Sequence, residues 1–150
     1  MKRIAIYIVI LALLTLAPVQ GAELGKMHPV EVVLIYRQEE EVVIATDTED
    51  VGKGKDGLSA LEDLKATTAG TIYLDTAKYL LIGDGAEAAV EQLRGYLKKG
   101  VKVCRADKTV ALEGVAVYLS VHGNLPRLRS WKAGVNLPKL QMEDGRFLLI

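Results

Sequence analysis

Four consecutive apolar residues, Tyr79-Leu80-Leu81-Ile82, constrain this chain more than any other feature, because a helix-spaced apolar stripe comes directly after them. A run without polar alternation marks a strand buried on both faces. Ala86, Ala89, Val90, Leu93 and Leu97 then recur at helical spacing, with Asp84 placed to cap the start and Gly100 to stop the helix. Glu87 near its beginning and Lys98-Lys99 near its end complement the helix dipole. Val101 to Cys104 forms a second strand. A strand, a helix and a strand in that order call for a parallel pair joined by a crossover. The expected fold class is therefore α/β: a single domain with a mixed β-sheet and helices packed on it, Tyr79–Ile82 and Val101–Cys104 being central strands.

The flanking sequence fills in the rest. Val30 to Tyr36 and Glu41 to Thr46 are rich in β-branched residues and predict two strands of a hairpin, though Arg37–Glu40 lacks an Asn-Gly or Asp-Gly signature. An acidic, glycine-rich loop is expected over residues 47–57. Leu58, Leu61 and Leu64 predict a short amphipathic helix ending before Gly70. Asp107 is placed to cap a helix running to His122, with Val110, Val117, Tyr118 and Val121 facing inward. Asp144-Gly145 between apolar runs predicts a terminal hairpin.

Residues 1–21 have the layout of a secretory signal. Lys2 and Arg3 precede an apolar run from Ile4 to Leu16, Pro18 breaks it, and small residues precede a cut ahead of Ala22. The run is shorter than the roughly 20 residues a spanning helix needs. No cysteine stands at the cut, so no lipid anchor is expected there. Removal takes two cations away and leaves a mildly acidic domain over residues 22–150. The whole chain carries 19 Lys+Arg against 19 Asp+Glu. Lacking a cationic excess, it is not expected to bind nucleic acid. The expected location is extracytoplasmic, membrane-associated if the signal is retained.

Chemistry is sparse. Gly52-Lys-Gly-Lys-Asp-Gly57 spells a dinucleotide fingerprint after a strand, with Asp75 near the ribose-acid position. The preceding strand belongs to a hairpin, and Asp47, Glu49 and Asp50 would repel a pyrophosphate. A loop is expected, and no cofactor. The same acids with Asp56 resemble a calcium loop, but its twelfth position is Leu58 rather than glutamate, so no metal is expected. Gly57-Leu-Ser59-Ala-Leu61 lacks the second glycine of a nucleophile elbow, leaving Ser59 in a helix's first turn. His28 and His122 have no acidic partner at catalytic spacing, and His122 suits a helix end. The single cysteine, Cys104, excludes disulfide and multi-cysteine zinc sites. It reads as core filler; as a reactive thiol it would lean on Arg105. Arg127, Arg129, Trp131 and Lys132 offer hot-spot residue types in a segment of weak periodicity, and form the expected docking surface for a protein.

The run GLSALEDLKATTAGTIYLDTAKYLLIGDGAEAAVEQL from Gly57, with VKVCRAD and the terminal LPKLQMEDGRFLLI, resembles the N-terminal domain of the Ger(x)C lipoproteins, the C subunits of spore germinant receptors. The phrase from Ile72 to Ala86 carries most of the likeness. The lipid-bearing cysteine of that family and its Trp-Asp-rich phrase are not matched. The resemblance implies a non-catalytic exported protein of sporulation or germination, in contact with a protein near the membrane or in the spore envelope. A shorter stretch, Leu97 to Val115, is similar to DsrE-like sulfur-relay proteins, which implies Cys104 as a persulfide carrier.

Overall fold

The computed structural model describes residues 2–16 and 27–150, without the side chains of residues 14–16, 27 and 28. The expected cut ahead of Ala22 and the His28 side chain lie outside the described residues. The domain is α/β, built on a mixed seven-stranded sheet. Helix α1 (Lys2–Leu16) precedes it, with Ile4 to Leu13 largely exposed. The short β1 (Met27–Pro29) pairs in parallel with β5 (Thr71–Tyr73), apart from the main sheet. The main sheet runs β4 (Val51–Gly54), β3 (Glu41–Thr46), β2 (Val32–Gln38), β6 (Tyr79–Ile82), β7 (Lys102–Ala106), β8 (Lys139–Glu143) and β9 (Arg146–Leu149).

Strands β2, β6, β7 and β8 are mutually parallel, in register from Val32↔Tyr79↔Lys102 to Ile35↔Ile82↔Arg105. Antiparallel hairpins close both sides. All four β6 residues are buried, as their unbroken apolar run predicts. Their alternation divides two cores. Leu80 and Ile82 join Val33, Ile35 and Val103 beneath α2 (Gly57–Thr67) and α3 (Glu87–Leu93). Tyr79 and Leu81 join Val32, Leu34 and Cys104 beneath α4 (Val115–His122). The sheet is thus covered on both faces.

Several local expectations change. Ala86, Ala89, Val90, Leu93 and Leu97 are all buried as the stripe predicts, but α3 starts from Ala86 without a cap from Asp84, and it ends at Leu93 in a 3-10 turn over Arg94–Tyr96 rather than running on to Gly100. Helix α4 begins at Val115 after Gly114, so Asp107 caps nothing of it. Val115 and Leu119 face the core, while Val117 and Val121 are exposed. VAVYLSVH is apolar on every side, so periodicity alone could not choose the buried face. In α2, Ala60 replaces the exposed Leu58 in the inward set.

The stretch expected as a loop contains the edge strand β4. Its glycines serve close packing. A Cβ on Gly52 would stand 2.4 Å from the Ala60 carbonyl oxygen, and one on Gly54 2.5 Å from the Ala60 nitrogen. Helix α2 lies directly on this strand's backbone. At Gly57 the Ala89 carbonyl oxygen would be 2.8 Å away, where α2 meets α3. The dinucleotide-like spacing is therefore a signature of helix contact.

Candidate functional site

The loop after β6 leads to α3 on one face, while the loop after β7 leads toward α4 on the other. Between two such loops, at the carboxyl ends of parallel strands, an open sheet leaves a crevice. Here it is lined by Tyr36 and Arg37 from β2, Gly83 and Asp84 after β6, and the Ala106–Thr109 segment, with a volume of about 410 Å³. Its floor is narrow because β2 and the end of β6 touch: a Cβ on Gly83 would lie 2.5 Å from that of Tyr36. Gly85 turns the next step at φ +74, beside the Arg37 side chain. The rim carries Arg37, Asp84 and Lys108; Asp107 is held by Lys139 at 3.0 Å. A hollow of about 470 Å³ along Glu143–Leu148 belongs to the β8–β9 hairpin alone. The crevice instead brings three parallel strands together.

Behind it, Glu87 at the start of α3 accepts a hydrogen bond from Arg105 Nη1 at 2.6 Å. Burial pushes the Glu87 carboxyl up, yet the Arg105 hydrogen bond and charge outweigh it and hold the group below its usual 4.5. This pair ties α3 to β7. It also occupies the guanidinium that sequence proximity assigned to Cys104. Consecutive strand residues point to opposite faces, so Arg105 lies on the α3 side and Cys104 beneath α4.

Cys104 does not end its strand but sits at its centre, 0% exposed, and burial pushes its thiol up to about 12. Thiolate is the reactive form, so this position suits packing. Ser59 lies in the first turn of α2, where its backbone N–H donates to Asp56 at 2.8 Å. That bond, with the Ser59 hydroxyl, holds the Asp56 carboxyl below its usual value. Asp47 accepts the Glu31 backbone N–H, and Asp50 accepts the Thr48 hydroxyl at 2.6 Å. Among the described residues, no group of three or more His, Cys, Asp or Glu gathers as a metal site. His122 stands in the last turn of α4 with its ring against Tyr118.

The expected docking segment is divided. Trp131 is 1% exposed and belongs to the core beneath α2 and α3, so its indole cannot serve as an exposed anchor. The reason is a change of face. Leu125 packs with the α4 core, residues 126–128 bond to the start of β7, and Leu128 with Trp131 packs on the opposite core. Arg94 fixes this passage by donating to the Leu128 and Trp131 carbonyls at 2.7 and 3.0 Å. Arg127, Arg129 and Lys132 remain exposed.

They have neighbours that sequence reading missed. Arg127 bridges to Lys102, and the Arg129 N–H donates to the Lys99 carbonyl at 3.3 Å. The available signal was an absence: no Asp or Glu occurs between Glu91 and Asp107, or between Glu113 and Glu143. Comparison with protein-family models, curated proteins and solved structures returns no match for this chain. The Ger(x)C and DsrE-like resemblances therefore stand on the quoted residue patterns alone.

Proposed function

We propose that this protein is an exported, non-catalytic recognition module of sporulation or germination, and that it holds a protein partner in the crevice at the carboxyl ends of β2, β6 and β7. The convergence of Arg37, Asp84 and Lys108 around that crevice is the observation that carries the reading. Loops on a rigid α/β scaffold are where recognition residues concentrate. A rim with charges of both signs and a volume of a few hundred Å³ suits a short charged segment of a partner. The groups that could support catalysis have other work: Cys104 fills the core, Ser59 sits in a capped helix turn, and Glu87 pairs with Arg105. The link to spores rests on the residue pattern from Gly57 onward.

Cross-linking in sporulating cells of the native host, with wild type and an Arg37→Glu/Lys108→Glu variant, tests the site. The expected result is loss of a discrete partner in the variant. An identical partner set for both proteins overturns the crevice as the contact surface. Intact mass of the native protein tests export: a chain beginning at Ala22 is expected, and soluble cytoplasmic material retaining residues 1–21 refutes it.

A further inference from the structure

Lys98, Lys99, Arg127, Arg129 and Lys132 are exposed and Lys102 is half-buried. None of the six forms an ion pair among the described residues. They sit on two segments stitched together at the amino end of β7, around a shallow groove that includes Lys78, Lys98, Gly100 and Lys102. In a chain of zero formal charge, this is a concentrated cationic corner. We infer that this corner binds an anionic bilayer surface, independently of the crevice at the opposite end of the parallel strands.

Composition favours headgroups over a protein. Four of the six cations are lysines, which protein interfaces deplete, and such interfaces centre on aromatic anchors. Trp131 is in the core and Tyr118 packs against His122 and Phe147, which leaves Tyr96, with Lys65 over its ring, as the one exposed aromatic side chain of these two runs. One ring does not make the row of stacked bases that single-stranded nucleic acid needs. What remains is diffuse positive charge, the property that anionic headgroups recognise.

The topology aims this corner at the membrane. Parallel register places the start of β2 at the same end of the sheet as the starts of β6 and β7. The Lys78 N–H donates to the Glu31 carbonyl at 2.8 Å, and the Lys102 N–H to the Lys78 carbonyl at 3.0 Å. The start of β2 thus lies at the cationic end, downstream in sequence of the apolar helix α1. Helix α1 is about 22 Å long, and no helix among the described residues is long and apolar enough to cross a membrane. In the full chain, with residues 1–21 retained, the apolar helix and the polybasic surface together make the two-signal arrangement of stable membrane association; after cleavage the polybasic surface acts alone.

The acids at this end lie on its β2 side. Glu31 pairs with Lys78 at 3.1 Å, and Asp75 lies in the turn before β6. The turn carrying Asp47, Glu49 and Asp50 reaches the start of β2, where Asp47 accepts the Glu31 backbone N–H at 3.2 Å. The cations of β7 and of residues 127–132 lie beyond β6 from it, so the acidic turn bounds the corner on one side.

Vesicle co-sedimentation of the full chain tests this, using phosphatidylcholine alone or with about one-third phosphatidylglycerol. Wild type is expected to prefer the anionic vesicles, and added salt to remove that preference. Lys98→Gln/Lys99→Gln/Arg127→Gln/Arg129→Gln is expected to lower partitioning on the order of a thousandfold. A charge-matched control, Lys53→Gln/Lys55→Gln/Lys65→Gln/Arg146→Gln, is expected to lower it far less. Equal binding by wild type to neutral and anionic vesicles overturns the inference, as does equal loss in the two variants. Preference for polyglutamate or duplex DNA over anionic vesicles assigns the corner to another polymer and also overturns it. The salt titration of wild type needs no variant to fold, and crevice variants test the proposed partner site separately.

Discussion

At Gly52 and Gly54 a single hydrogen separates a folded edge from a clash. Backbone atoms of α2 occupy the space a side chain would need, so Gly52→Ala must push a helix off a strand. We expect it to lower unfolding free energy by about 3 kcal/mol, read from urea denaturation. Overpacking against backbone leaves no rotamer as an escape. Cys104 gives the complementary case. With its thiol pushed up to about 12 and fully covered, it should react with a maleimide at pH 8 only as fast as the protein opens. Rapid labelling of the folded protein would revive the persulfide-carrier reading. All three residues were visible in the sequence with their types and spacing; what surrounds them was not.

Elements are held in place here by a few charged side chains with several partners. Arg94 reaches from the end of α3 to two carbonyls of the segment that carries Trp131, pairs with Glu91 at 2.6 Å, and has its guanidinium 5.8 Å from the indole. Lysine cannot reproduce that fork. Arg94→Lys is expected to cost about 2 kcal/mol, with Trp131 fluorescence reporting the loosened segment. Glu87 sets a pH dependence of definite sign. Its carboxyl is held below 4.5, so the stability it adds is present above the unfolded-state value and is lost as pH falls through the folded one. A Glu87→Gln variant should be less stable than wild type at neutral pH. The two should converge as pH drops below about 4; a constant gap would show that the pair is not the cause.

For the whole molecule, two cores share one sheet, and β2, β6 and β7 each contribute residues to both of them. Unfolding is expected to be a single transition, with far-UV circular dichroism and Trp131 fluorescence coincident, because exposing one core strips the strands that close the other. Separated transitions would mean the faces melt independently. The sheet also sets the two proposed surfaces apart. Strand direction puts the mixed-charge crevice at the carboxyl ends and the cationic corner at the amino ends, so one could meet a partner while the other meets a bilayer.

Local order and burial pattern were the sequence's own contribution. The unbroken run at Tyr79–Ile82 and the stripe from Ala86 to Leu97 determined a strand, a helix and a crossover, because buried surface must match the period of the element that buries it. Asp144-Gly145 likewise determined a hairpin, both residues adopting positive φ at +50 and +75. Tertiary structure alone decided which face of the all-apolar α4 lies inward, that glycines in an apparent loop support a helix, and that Trp131 crosses into the core. It also decided which distant cations share a surface: Lys99 and Arg129 lie thirty positions apart in the chain and are joined by one backbone hydrogen bond. Periodicity records what a segment needs to bury, whereas the partner that buries it, and the charges brought together outside, depend on contacts between segments far apart in the chain.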